Sequence, residues 1–232
     1  MFYITSFLVL IFSPGFRGIA FLYYPALFLS LSSVVYMILR DPTSKVSFRQ
    51  SAAIPYFIIL IIYGFLFSSI LSLDPAVSSS ELLISLLRFF LAFIFIVSAI
   101  CFPRKLFFRC FILAIFISTS LAALILYLQA ILGIPFDFLS SEAAPRADLT
   151  RYSSSMGSLT AASIGIPLCT FSYSIIHYFL FPFGASFSRL EIRLLSIPSF
   201  ILVPFWLFST VLTISRTAIF TSFIVIFVIY LL

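Results

Sequence analysis

Eight apolar stretches organise this chain: Phe2–Phe12, Ile19–Leu39, Ala52–Ser72, Leu82–Phe102, Phe108–Leu132, Gly157–Phe181, Leu195–Ile214 and Thr217–Leu232. Most run to about twenty residues, the length a helix needs to cross a hydrocarbon layer of about 30 Å. The first is short for that purpose. Backbone groups in lipid must find hydrogen-bond partners internally, which leaves helices and closed barrels. A barrel requires short segments of alternating polarity. Continuous apolar runs such as Phe89–Ile96 argue for helices instead. The expected fold is all-α, a polytopic transmembrane helical bundle of about eight spans.

Composition agrees with that pattern. The chain is 63% hydrophobic and 9% charged, with a mean hydropathy of +1.27. Soluble domains carry about 25% charged residues, so a soluble fold is excluded. The expectation is a single transmembrane domain over residues 1–232; its last apolar run reaches Leu232 without a polar or aromatic anchor, which reads either as truncation of a longer protein, the leading expectation, or as a final helix that closes at the cytoplasmic face without a tail. Met1-Phe2-Tyr3-Ile4 lacks a basic leader region and no small-residue cleavage site follows, so the first segment is expected to stay as a span.

The charges fix an orientation. Arg40 and Asp41 with Lys45 and Arg49, Arg104 and Lys105 with Arg109, and Arg189 with Glu191 and Arg193 make three basic loops. The intervening loops carry Arg17; then Asp74 and Glu81; then Asp137, Glu142, Arg146, Asp148 and Arg151; then Arg216. Basic loops stay in the cytoplasm. The alternation holds at every crossing and places the N-terminus in the cytoplasm. The net charge of +6 is therefore topological, and no nucleic-acid partner is expected. Cys101, Cys110 and Cys169 show no metal or redox spacing and read as small hydrophobes. Pro25, Pro55, Pro167, Pro198 and Pro204 fall inside spans, with Gly165-Ile166-Pro167 the expected kink. The single histidine, His177, lies near the inner end of its span and reads as an interfacial residue.

The arginines on the less basic side need a reason. Arg88 lies seven residues past Glu81, a depth of roughly 10 Å. A charge there must snorkel, pair or face water. One reading is a snorkelling or ion-paired side chain; the other is an anion site in an outward cavity. Arg216 interrupts an apolar run from Leu194 to Leu232 that is too long for one helix. It marks a tight outer turn. If Thr217 starts the next helix, the helix N-terminus and Arg216 favour the same anion. Arg146 and Arg151 belong to the longest outer loop, Gly133–Met156, which leads through Tyr152-Ser-Ser-Ser-Met156-Gly157-Ser158 into a span. Those hydroxyls read either as donors to a phosphate or sugar, or as a solvated loop and helix cap. A guanidinium binds two phosphate oxygens at once, and a polyprenyl diphosphate presents such oxygens at this depth. One of the outer carboxylates could serve as general base, without spacing to choose among them. No zinc-protease, phosphate-loop or nucleophile-elbow motif is present in the sequence.

Leu212-Thr-Ile-Ser215-Arg216-Thr-Ala218-Ile-Phe resembles the Ser-Arg signature of the O-antigen ligase and polymerase family, which stands there at the outer end of a span. Leu66 to Pro75 followed by Ser79 to Arg88 is similar to the family's short outer loop and arginine-bearing span. Arg151 to Pro167 is similar to its outer loop entering a span. Thr217 stands where the family usually has Gly. The resemblance implies transfer of a glycan from undecaprenyl diphosphate to an acceptor hydroxyl, in the bacterial inner membrane, without cofactor or metal. Arg216 matches the catalytic role, holding the leaving diphosphate. Arg88, Arg151, Arg146 and Ser215 match diphosphate binding. Other polysaccharide-assembly membrane proteins are implied as partners. The family's large outer loop, with a histidine in ligases, would follow Leu232, so the chain corresponds to an N-terminal portion. A polymerase is the leading expectation, with a ligase, a transporter or lipid flippase, and a non-catalytic bundle subunit as alternatives.

Overall fold

A computed structural model describes residues 1–41, 55–56, 58–59, 62–63, 90–134, 136, 143–146, 149–152, 154–156, 159–180, 199–213 and 216–231. Among these the helices are α1 (Phe2–Phe12), α2 (Ala20–Arg40), α3 (Phe90–Cys101), α4 (Arg104–Leu132), α5 (Leu159–Leu180), α6 (Ser199–Val211) and α7 (Arg216–Leu231). Each overlaps one of the predicted apolar stretches. Two, α2 and α4, are long and apolar enough to cross a membrane. The predicted span Ala52–Ser72 lies largely outside the described residues.

One part of the predicted loop Gly133–Met156 is not loop. It carries an antiparallel hairpin of β1 (Ala143–Arg146) and β2 (Leu149–Tyr152), followed by a 3-10 turn, η2 (Ser154–Met156). A second 3-10 turn, η1 (Pro14–Gly18), joins α1 to α2. Pro14 stands at its first position, where a missing amide costs nothing. Gly133, in the left-handed region (φ 64), closes α4, and the Ile134 amide donates back to the Leu128 carbonyl at 3.2 Å.

Contacts divide the chain into two units. Ser32–Phe107 forms one of them. Within it the Phe95 and Phe107 rings meet edge to face at 5.7 Å, and the Ser98 hydroxyl donates to the Ile94 carbonyl. Met1–Leu31 with Phe108–Leu232 forms the other. Its core joins Ile112, Ile115, Phe116 and Leu126 of α4 to Ile166 and Tyr173 of α5 and Leu202 and Trp206 of α6. Trp206 and Tyr173 are wholly buried. Their rings meet at 5.0 Å and 83°, and Phe116 closes the triangle at 6.1 and 6.0 Å. Edge-to-face contact suits the ring quadrupoles.

Several hydroxyl residues within these apolar helices find a nearby carbonyl. Thr170 donates to Ile166, Ser174 to Thr170, Ser209 to Trp206 and Thr210 to Leu207, all at 2.6–2.9 Å. Such back-bonding hides the hydroxyl at little cost to the helix. Phe220, Phe223, Ile224 and Phe227 of α7 and Phe21, Phe28 and Leu29 of α2 remain exposed. Water penalises apolar faces of that kind, and lipid does not.

Pro167 shows how a break inside α5 is repaired. Proline has no amide proton, so the carbonyl four residues earlier, that of Ser163, loses its helical partner. Thr221 of α7 donates its hydroxyl to that carbonyl at 3.3 Å, as helices in lipid require. Thr221→Val should therefore cost about 1 kcal/mol. In a Pro167→Ala background that cost should vanish. Equal shifts of the unfolding midpoint in both backgrounds would refute the coupling.

Candidate functional site

Four helical and turn elements converge at one end of the larger unit. Thr221 lies five residues past the start of α7 and Ser163 four residues past the start of α5, and the two are hydrogen-bonded. The two helices therefore run parallel, with their N-termini at the same level. α6 runs the other way, since the Thr210 hydroxyl near its end meets the Ser222 hydroxyl near the start of α7 at 2.8 Å. The predicted break between the last two apolar segments is thus present. α6 ends at Val211, its final turn tightened by Leu212 and Thr213 amides donating to the Ser209 and Thr210 carbonyls at 3.1 Å. Arg216 opens α7, one residue earlier than Thr217. The helix N-terminus there supplies partial positive charge beside the arginine's position.

The hairpin leads into the same end. Its register pairs Ala144 with Arg151 and Arg146 with Leu149. The two arginines are therefore diagonal positions of the ladder, a spacing of about 7–8 Å. From the hairpin the chain passes through η2 into the start of α5. The backbones of Arg146, Arg151 and Arg216 thus belong to one end of one unit. Arg88 and Ser215 lie outside the described residues, as do Asp74, Glu81, Asp137, Glu142 and Asp148.

The serine run corrects one expectation. Ser154, Ser155 and Met156 are buried, so this stretch is neither a solvated loop nor a surface helix cap. Ser154 adopts a left-handed conformation (φ 55) unusual for a residue with a side chain. Its hydroxyl donates to the Ala122 carbonyl of α4 at 2.7 Å, which holds it there. Ser155 presses on η1. A Cβ added to Gly15 would lie 2.7 Å from the Ser155 carbonyl oxygen, closer than packed atoms allow. Gly15→Ala should separate the two turns at a cost of about 1–3 kcal/mol. An unchanged thermal midpoint would show that the turns do not need this contact.

Around that contact several polar atoms are buried without a partner: the hydroxyls of Ser13 and Ser155 and the Nε of Arg17. The Tyr23 phenol is in electrostatic reach of Arg17 and donates its own proton to the Leu10 carbonyl at 3.0 Å. By sequence Arg17 is only a loop charge. The signal that singles out Arg216 is present for it too: a lone arginine between two apolar runs on the less basic side.

Comparison with protein families, with curated proteins and with solved structures returns no match for this chain.

Proposed function

We propose that this chain is a glycosyltransferase-type O-antigen polymerase of the bacterial inner membrane. It crosses the membrane about eight times from a cytoplasmic N-terminus. At the outer face it transfers a glycan from undecaprenyl diphosphate to an acceptor hydroxyl. Arg216 stabilises the charge developing on the leaving diphosphate, and Arg151, Arg146, Ser215 and Arg88 bind that group.

The observation that carries this reading is the shared level of the α5 and α7 N-termini, set by the Thr221–Ser163 hydrogen bond. It brings the backbone of Arg216 to the end of the bundle that the arginine-bearing hairpin enters. Arginine positions on two elements of one unit suit a diphosphate, whose oxygens spread over several ångströms and accept paired donors. The exposed phenylalanines of α2 and α7 suit lipid contact. The Ser-Arg break resembling the ligase and polymerase signature falls at a helix start, where an anion gains most.

The test is complementation of a strain lacking its O-antigen polymerase with the intact gene. Restored long-chain polysaccharide supports the reading. Lipid-linked repeat units that cross the membrane but never join would support a flippase in its place.

A further inference from the structure

Helix α7 has no hydrophobic side to orient it. Its apolar residues are spread almost evenly around the axis. A helix with an apolar stripe takes its rotation from burying that stripe. Here lipid tails and neighbouring helices accept the same side chains, so apolarity leaves the rotation undecided. Phe220, Phe223, Ile224, Ile226 and Phe227 are all exposed. Across residues 219–228, where the side chains of α7 are described, Thr221 and Ser222 are the only polar ones. Yet rotation matters, because the first residue of this helix is Arg216.

Two hydrogen bonds supply what the apolar pattern lacks. The Thr221 hydroxyl donates to the Ser163 carbonyl of α5 at 3.3 Å. The Ser222 hydroxyl meets the Thr210 hydroxyl of α6 at 2.8 Å, and both residues are buried. Thr210 gives its own proton to the Leu207 carbonyl at 2.6 Å. A hydroxyl has one proton, so Ser222 is the donor between the two. Adjacent residues of a helix project about 100° apart, which sends these ties to different neighbours. One tie would leave α7 free to pivot about it. Two, at one level and in different directions, fix both rotation and axial position. They lie about 7.5 and 9 Å along the axis from Arg216. A rotation of about 25° moves a Cα on its cylinder of about 2.3 Å radius by about 1 Å, and the end of a long side chain by more. A misplacement of about 1 Å can cost about a hundredfold in rate.

We propose that Thr221, Ser222 and Thr210 are positioning residues for Arg216: their hydrogen bonds to α5 and within the α6–α7 pair set the rotation and level of α7, and so place its first residue. The role in reaction rests on the reading above, in which Arg216 stabilises the leaving diphosphate. The hold on α7 does not.

The experiment measures polymer formation by the intact purified protein in proteoliposomes, with lipid-linked repeat units extracted from a polymerase-deficient strain as substrate. Ser222→Ala and Thr210→Val should each lower kcat about tenfold and leave KM within about twofold, because the group they place acts in the transition state. Adding Thr221→Val to Ser222→Ala should bring the loss to about a hundredfold. Thr210→Ser, which keeps the hydroxyl, should recover most of the loss. In an Arg216→Ala background none of these changes should lower the remaining rate further, since they act through Arg216. A general folding defect would lower it again. A second measurement needs no chemistry: cysteines introduced as Thr210→Cys and Ser222→Cys should form a disulfide readily under copper phenanthroline, read by mass spectrometry of the digested protein. Adding Thr221→Val should slow its formation about tenfold. Wild-type kcat in Ser222→Ala and Thr210→Val, or equal losses with and without Arg216, would overturn the positioning role. If Arg216→Ala itself keeps the wild-type rate, the transfer reading falls and the disulfide decides: slowing by Thr221→Val upholds the hold on α7, and an unchanged rate overturns it.

Discussion

Arg216→Ala should lower polymer formation by a hundred- to a thousandfold, leaving single repeat units where the wild type gives a long ladder. Removing one donor aimed at a developing oxyanion typically costs about that much, or ~3–4 kcal/mol. The N-terminus of α7 remains in the variant, but a helix end contributes only about 0.3–1 kcal/mol. The guanidinium therefore supplies most of the stabilisation, and the helix end accounts for the little activity that remains. Arg216→Lys keeps the charge and loses the planar fork, so it should fall between the two. The readout is the glycan ladder in a complemented polymerase-deficient strain, at matched membrane levels of each variant. A normal ladder from Arg216→Ala removes the catalytic role. Arg146→Ala and Arg151→Ala, on the hairpin, should act more weakly than Arg216→Ala, since in the proposed reading each binds a group that the others also hold.

The apolar helices are legible in the sequence because their pattern depends on neighbours along the chain. Phe2–Phe12 emerges as α1 with the bounds of its apolar run, and the break after Val211 falls where Thr213 to Arg216 interrupts hydrophobicity. Pro167 as a defect in α5 is equally local, although its remedy is not: the hydroxyl that serves the Ser163 carbonyl comes from α7. The hairpin is hidden because Ala143-Ala-Pro-Arg146 has none of the β-branched or aromatic residues that mark strands. Three serines in a row suggest solvent on composition alone. The burial of Ser154 and Ser155 is decided by the Ala122 carbonyl and by the space Gly15 leaves, both distant in sequence. Arg17 is inconspicuous for the same reason: the turn that carries it meets the Ser155 turn at Gly15, a contact that no periodicity in either segment announces.

Trp206→Ala should be the most damaging substitution for folding. Trp206 is 0% exposed and touches both other rings of the core, Phe116 of α4 and Tyr173 of α5. Its indole nitrogen also donates to the Ser120 hydroxyl of α4 at 3.2 Å. Between helices in lipid, packing and hydrogen bonds supply most of the attraction, because the tails are as apolar as the core. Truncation removes both at once and leaves a cavity among three helices. Large aromatic deletions of this kind cost about 3–5 kcal/mol. Trp206→Phe keeps much of the edge-to-face contact and gives up the indole hydrogen bond, which is worth about 1 kcal/mol. The ordering wild type, Phe variant, Ala variant should therefore appear in unfolding midpoints of the purified protein, with the second step several times the first. Equal midpoints for the alanine variant and the wild type would mean that these three rings do not join α4, α5 and α6. A midpoint for Trp206→Phe as low as that of Trp206→Ala would instead make the Ser120 hydrogen bond, and not ring packing, the main tie between α6 and α4.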